Sequence, residues 1–87
     1  MRNKEVEKMK GFVIYLSTEI FSKDVRNDYG YWDGKTYTVQ GEQFPFTDYH
    51  ITSETRVYKS KIRAENMAEK LLKRCPYIMS YLVEEIQ

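Results

Sequence analysis

The chain has 87 residues, a formal net charge of +1 and 41% hydrophobic residues. This length is typical of one small domain, and the single cysteine excludes an internal disulfide. The near-zero net charge does not favour a strongly basic nucleic-acid binder or an acidic mimic of nucleic acid.

Residues 1–10 are mostly charged, and they predict a tail or a short helix that precedes a single domain over residues 11–87. No apolar run approaches the roughly 18 residues of a membrane span, and the first residues lack the apolar core of a signal peptide. We therefore expect a cytoplasmic protein that makes no membrane contact.

The first predicted strand begins after Gly11 and is rich in β-branched and aromatic residues. Apolar side chains alternate onto both of its faces at the start, which favours a central strand over an edge strand. One face carries Phe12, Ile14, Leu16 and Ile20, and the other carries Val13, Tyr15 and Phe21.

A β-hairpin is predicted next, with its two-residue turn at Asp33-Gly34 between Trp32 and Lys35. This gives Asp33 a structural explanation, so we do not count it as a catalytic carboxylate. Residues 40–55 lack periodicity, and Pro45 argues against a central strand there. The lone histidine, His50, is expected to be a partly buried residue with a satisfied hydrogen bond rather than a general base.

Residues 60–75 carry the clearest helical period of the chain, between a short predicted strand at 56–59 and a final strand at 77–86. Ser60 is the expected N-cap and Pro76 ends the helix. The apolar stripe consists of Ala64, Met67, Ala68, Leu71, Leu72 and Cys75. The pattern predicts an α+β domain with a small antiparallel sheet of about four to five strands and this one main helix on one face.

Basic side chains occupy one flank of the predicted helix. A stripe formed by Arg63, Lys70, Lys73 and Arg74 would suit phosphates or an acidic partner. A solvated helix face is the more ordinary explanation of the same pattern. Residues 56–74 carry seven basic and two acidic groups, whereas residues 19–55 carry three basic and seven acidic groups, so the charge is unevenly distributed.

Aromatic content is high, with eight Tyr, four Phe and one Trp. If one helix covers one sheet face, the other face stays open and exposes part of this set. Tyr and Trp are enriched at protein interfaces, so Tyr15, Tyr31, Trp32 and Tyr37 are candidate partner-binding residues, of which either Tyr31 or Trp32 would lie on the open face. A half-wet sheet face is the alternative, because Tyr is also common in strands.

The motifs of the common enzyme classes are missing. One His and one Cys do not make a zinc site, the four glycines are scattered rather than forming a phosphate loop, and no nucleophile elbow occurs. We expect neither catalytic residues nor a metal or cofactor.

The segment Phe46-Thr-Asp48, the stretch from Thr55 to Ser60, and the Ala- and Glu-rich helix resemble a layout in small orphan proteins encoded largely by phages and prophages of Gram-positive bacteria. The chain departs from that layout at Tyr58, where Phe is usual, and in its long first strand. The resemblance implies a phage-type accessory protein without catalytic residues.

Two hypotheses follow. The first is a non-enzymatic inhibitor or adaptor that binds a protein partner through an aromatic-rich sheet face, with self-association through that face as a variant. The second is a single-stranded nucleic-acid binder that stacks bases on sheet tyrosines and holds phosphates with the basic stripe.

Overall fold

In the computed structural model, which describes residues 10–18 and 28–86, four antiparallel strands form one curled sheet and one helix covers a face of it. The predicted α+β class is confirmed. The elements are β1 (Gly11–Ser17), β2 (Asp28–Val39), β3 (Glu42–Asp48), α1 (Lys61–Arg74) and β4 (Ser80–Ile86), with sheet order β3-β2-β1-β4. The predicted N-terminal tail, apart from Lys10, lies outside the described residues, as do Ile20 and Phe21.

β1 is central, as its two apolar faces predict. Ile14 and Leu16 point towards α1, Val13 points the other way, and all three are at most 1% exposed. β4 pairs with β1 along its whole length, from Gly11 opposite Ile86 to Ser17 opposite Ser80. Burial on both faces removes the backbone of β1 from water, so each of its polar groups needs a protein partner.

The other edge of β1 is shared between two segments. β2 pairs only with the end of β1, from Tyr15 to Ser17. Nearer its start, Phe12 exchanges two backbone hydrogen bonds of 2.8 Å with Tyr58. The strand predicted at 56–59 is therefore only an isolated bridge at Tyr58, and it supplies the pairing that β2 leaves out.

The predicted hairpin turn at Asp33-Gly34 is wrong. β2 runs through this dipeptide and turns at Gln40-Gly41, where both residues have the positive φ of a type I′ turn (51° and 84°). Residues 33–35 form a bulge instead, in which Gly34 has a φ of 94° and the indole nitrogen of Trp32 donates to the carbonyl of Lys35 at 2.9 Å. The aperiodic stretch after the turn contains β3, where Pro45 is tolerated because β3 is an edge strand.

α1 has the predicted cap and buried face. The Ser60 hydroxyl accepts a hydrogen bond from the Arg63 backbone nitrogen at 3.1 Å. Ala64 and Ala68, both fully buried, let the helix lie close to β1 and β4. Cys75 follows the helix and is also buried, whereas Leu72 is only partly buried.

We expect Leu71→Ala to lower the free energy of unfolding by about 2–5 kcal/mol, because Leu71 is fully buried in the core and truncation leaves a cavity. Leu72→Ala is the matched control and should cost less, because its side chain keeps part of its surface in water. Urea denaturation followed by circular dichroism measures both. Equal losses would contradict the deeper burial of Leu71.

Candidate functional site

The four candidate partner-binding aromatic residues lie in three different places. Trp32 is a correction, because it is 4% exposed and packs in the core beneath α1. Alternation along β2 places it on the face opposite Tyr31. Trp32 therefore stabilises the fold and is not available on an exposed surface.

Tyr15 and Tyr31 do lie together on the sheet face away from α1. Their ring centroids are 4.8 Å apart in an edge-to-face arrangement, and the Tyr31 hydroxyl donates to a Glu84 carboxylate oxygen at 3.0 Å. Burial, followed by this hydrogen bond, raises the pKa of Tyr31. The pair ties β1, β2 and β4 together across the sheet, and each ring is half-buried.

Tyr37 belongs to a third location, beyond the bulge on the outer part of the β2–β3 hairpin. Its ring lies 5.6 Å from that of Phe44 and 4.7 Å from that of Phe46, and Phe44 in turn stacks on Tyr77 at 5.5 Å with an interplanar angle of 8°. We call these four residues the aromatic cluster. Tyr37, Phe46 and Tyr77 remain 42%, 45% and 49% exposed.

Tyr77 connects the aromatic cluster to the segment that follows α1. A hydrogen bond between its hydroxyl and the Glu42 carboxylate raises the pKa of Tyr77. The outer hairpin is thus held against the turn after the helix by both a ring stack and a hydrogen bond. Sequence reasoning missed three of the four members, although Phe44 and Phe46 at positions i and i+2 share one face of any extended segment.

The basic stripe is present as predicted on the surface of α1. Arg63, Lys70, Lys73 and Arg74 are all exposed. Within the described parts of the chain, none of the four forms an ion pair. Tyr77 comes three residues after Arg74, so the stripe ends close in sequence to the aromatic cluster.

A carboxyl pair lies at the bulge of β2. Asp33 Oδ1 is buried and has no hydrogen-bond donor within reach, and the side chain of Asp48, on the neighbouring strand, is its hydrogen-bonding neighbour. Burial raises the pKa of Asp33, and the Asp48 charge raises it further. When Asp33 is protonated, its side chain can donate a hydrogen bond to Asp48 and the repulsion between the two carboxylates is removed.

His50 and Cys75 offer little support for catalysis. His50 is exposed, so the expectation of a partly buried histidine is wrong. Cys75 fills core space as predicted, and burial raises the pKa of its thiol. A raised thiol pKa disfavours the reactive thiolate.

Comparison of the chain with protein-family models, with curated proteins and with solved structures gave no match in any of the three. In the described ranges 10–18 and 28–86, no group of three or more His, Cys, Asp or Glu side chains is placed to hold a metal ion. No helix within those ranges is long and apolar enough to cross a membrane.

The carboxyl pair gives the stability of the fold a defined pH dependence. Because the folded pKa of Asp33 is raised above its unfolded value, its contribution is fully present below about pH 4 and is lost as the pH rises through the folded pKa. We expect Asp33→Asn to abolish this loss, so the variant should gain stability relative to the native chain between pH 4 and pH 7.

Urea denaturation at pH 4, 5.5 and 7 measures the difference. Glu85→Gln, which neutralises an exposed carboxylate on β4, is the control. If the native chain and Asp33→Asn keep the same stability difference at all three pH values, the folded pKa of Asp33 is not raised.

Proposed function

We propose that the chain is a small non-enzymatic binding protein, of the phage-type accessory kind, that engages a protein partner through its aromatic cluster. The proposal rests on one observation: Tyr37, Phe46 and Tyr77 are exposed although their rings belong to one packed cluster. Aromatic side chains with a polar end are the residues most often found at the energetic centre of protein interfaces. Because these rings already pack against one another, they would lose less side-chain entropy when a partner binds.

The arrangement of the cluster favours a protein partner over stacked bases. Phe44 is already stacked between Tyr37 and Tyr77, so its ring faces are used within the protein. The Glu42 carboxylate at Tyr77 adds negative charge at the cluster, which opposes the approach of phosphates. The exposed surface of Tyr37, Phe46 and Tyr77 suits an apolar or mixed protein surface.

Single-stranded nucleic acid is the second candidate. It is favoured by the four exposed basic side chains of α1, which lack ion-pair partners in the described parts of the chain. Phosphate binding through this stripe predicts an affinity that falls steeply with salt, and it does not require the aromatic cluster.

We expect a tagged chain to recover one nuclease-resistant protein, at near-equal stoichiometry, from a lysate of a Gram-positive bacterium. Tyr37→Ala should reduce this recovery by about tenfold or more, because truncating a central interface aromatic typically removes about 2 kcal/mol or more of binding free energy. Quantitative mass spectrometry measures the recovery.

Tyr49→Ala is the matched control, because Tyr49 is 71% exposed but makes no ring contact within the described residues. It should leave recovery unchanged, and circular dichroism should confirm that both variants fold. Recovery that is lost on nuclease treatment, and that depends on Lys70 and Arg74 instead of Tyr37, would favour the nucleic-acid candidate and overturn the first.

A further inference from the structure

We propose that the outer edge of β4, from Tyr81 to Ile86, binds an extended segment of a partner protein that is rich in lysine or arginine, by adding it to the sheet as a strand. This is a second surface, separate from the aromatic cluster, and it does not depend on the function proposed above.

The two edges of the sheet differ in how they are protected. β3 carries Pro45 near its middle, which removes one backbone donor from that strand. β4 is seven residues long, contains no proline, and pairs continuously with β1. Over the described ranges, no residue pairs with its other side. Such an edge presents a row of backbone donors and acceptors that an extended segment can complete.

Four carboxylates lie around this edge. On the helix side, the Tyr81 hydroxyl donates to a Glu69 carboxylate oxygen at 2.8 Å, and Glu65 lies near enough to raise the pKa of Tyr81 further. These contacts place Glu65 and Glu69 on the side of α1 that faces β4. By helical spacing, Arg63, Lys70 and Arg74 lie on the other flank, and Lys73, four residues after Glu69, lies between the two. Glu84 and Glu85 add two carboxylates from the strand itself.

Apolar side chains stand on both sides of the same edge. Leu82 is 59% exposed on the sheet face away from α1. Ile62 is 68% exposed and shares the helix flank of Glu65 and Glu69, at the spacing i, i+3 and i+7. Two exposed basic residues border this flank, Lys61 four residues before Glu65 and Lys73 four residues after Glu69. An incoming strand with alternating apolar and basic side chains would match these surroundings.

The same charges argue against a second copy of the chain as the occupant. If two copies paired through their β4 strands about a two-fold axis, the acidic flanks of their helices would lie close together. Each copy would bring four carboxylates in all to that interface. Opposed like charges disfavour that pairing. A basic segment turns the same carboxylates into attractive partners.

A titration with capped peptides tests the proposal. The probe is a seven-residue peptide of alternating lysine and valine, added to the full-length 15N-labelled chain and followed by NMR. We expect shift changes centred on residues 81–86, binding that weakens as salt is added, and no binding of the peptide with glutamate in place of lysine.

Backbone pairing is tested with two further peptides, in which alternate peptide nitrogens are methylated in one phase or in the other. A strand uses the donors on one edge only, so one phase should abolish binding and the other should retain it. Glu65→Gln and Glu85→Gln should each weaken binding about 1.5- to fivefold. Glu54→Gln, an exposed carboxylate in the segment after β3, and Tyr37→Ala should leave it unchanged.

Four results would overturn the proposal. These are no shift changes at millimolar peptide, equal binding of both methylated phases, changes that map outside β4, and a dimer with protected β4 amides. Sedimentation velocity and hydrogen exchange on the free chain detect the last of these. Because Tyr37→Ala serves here as a control, failure of this proposal leaves the aromatic cluster untouched.

Discussion

The structure depends on the need to pair both edges of β1. Val13 and Ile14 point to opposite faces and both are buried, so the backbone between them has no access to water. β4 satisfies one edge completely. β2 pairs with only the last part of the other edge, and Tyr58 pairs with its first part through two backbone hydrogen bonds to Phe12. An unpaired buried peptide group costs about 1–3 kcal/mol of stability. The shared pairing of this edge therefore constrains where β2 and the segment around Tyr58 can lie.

The bulge of β2 follows from that shared pairing. Once β2 parts from β1, its backbone near Trp32 needs another partner, and the Arg56 backbone nitrogen donates to the Trp32 carbonyl at 2.9 Å. On the core side of the bulge, the Trp32 indole nitrogen donates a hydrogen bond to the Lys35 carbonyl. The buried tryptophan therefore has a structural role that its residue type alone does not reveal, since an aromatic residue in a strand suits a core and an interface equally well.

Beyond the bulge, the hairpin bends towards the end of α1, and this bend creates the aromatic cluster. Phe44 stacks on Tyr77, which lies more than thirty residues later in the sequence. The hydroxyl of the same tyrosine is hydrogen-bonded to the Glu42 carboxylate. The molecule thus has an aromatic surface at the outer hairpin and an acidic surface along β4. On the helix, Glu65 and Glu69 are turned towards β4, whereas Arg63, Lys70 and Arg74 lie on the other flank. This separation allows two surfaces of different chemistry on a chain of 87 residues.

The helix and the central position of β1 could be predicted from the sequence, because both depend on short-range information. A 3.6-residue apolar period, the Ser60 cap and Pro76 specify α1 locally, and two apolar faces specify a strand that is covered on both sides. The turn could not be predicted in this way. Asp33-Gly34 and Gln40-Gly41 both permit positive φ, and only the pairing of β2 with its neighbours decides which one turns. For the same reason Trp32 is buried and Tyr37 is exposed: their environments are set by a bulge that arises from long-range hydrogen bonding, which no local pattern records.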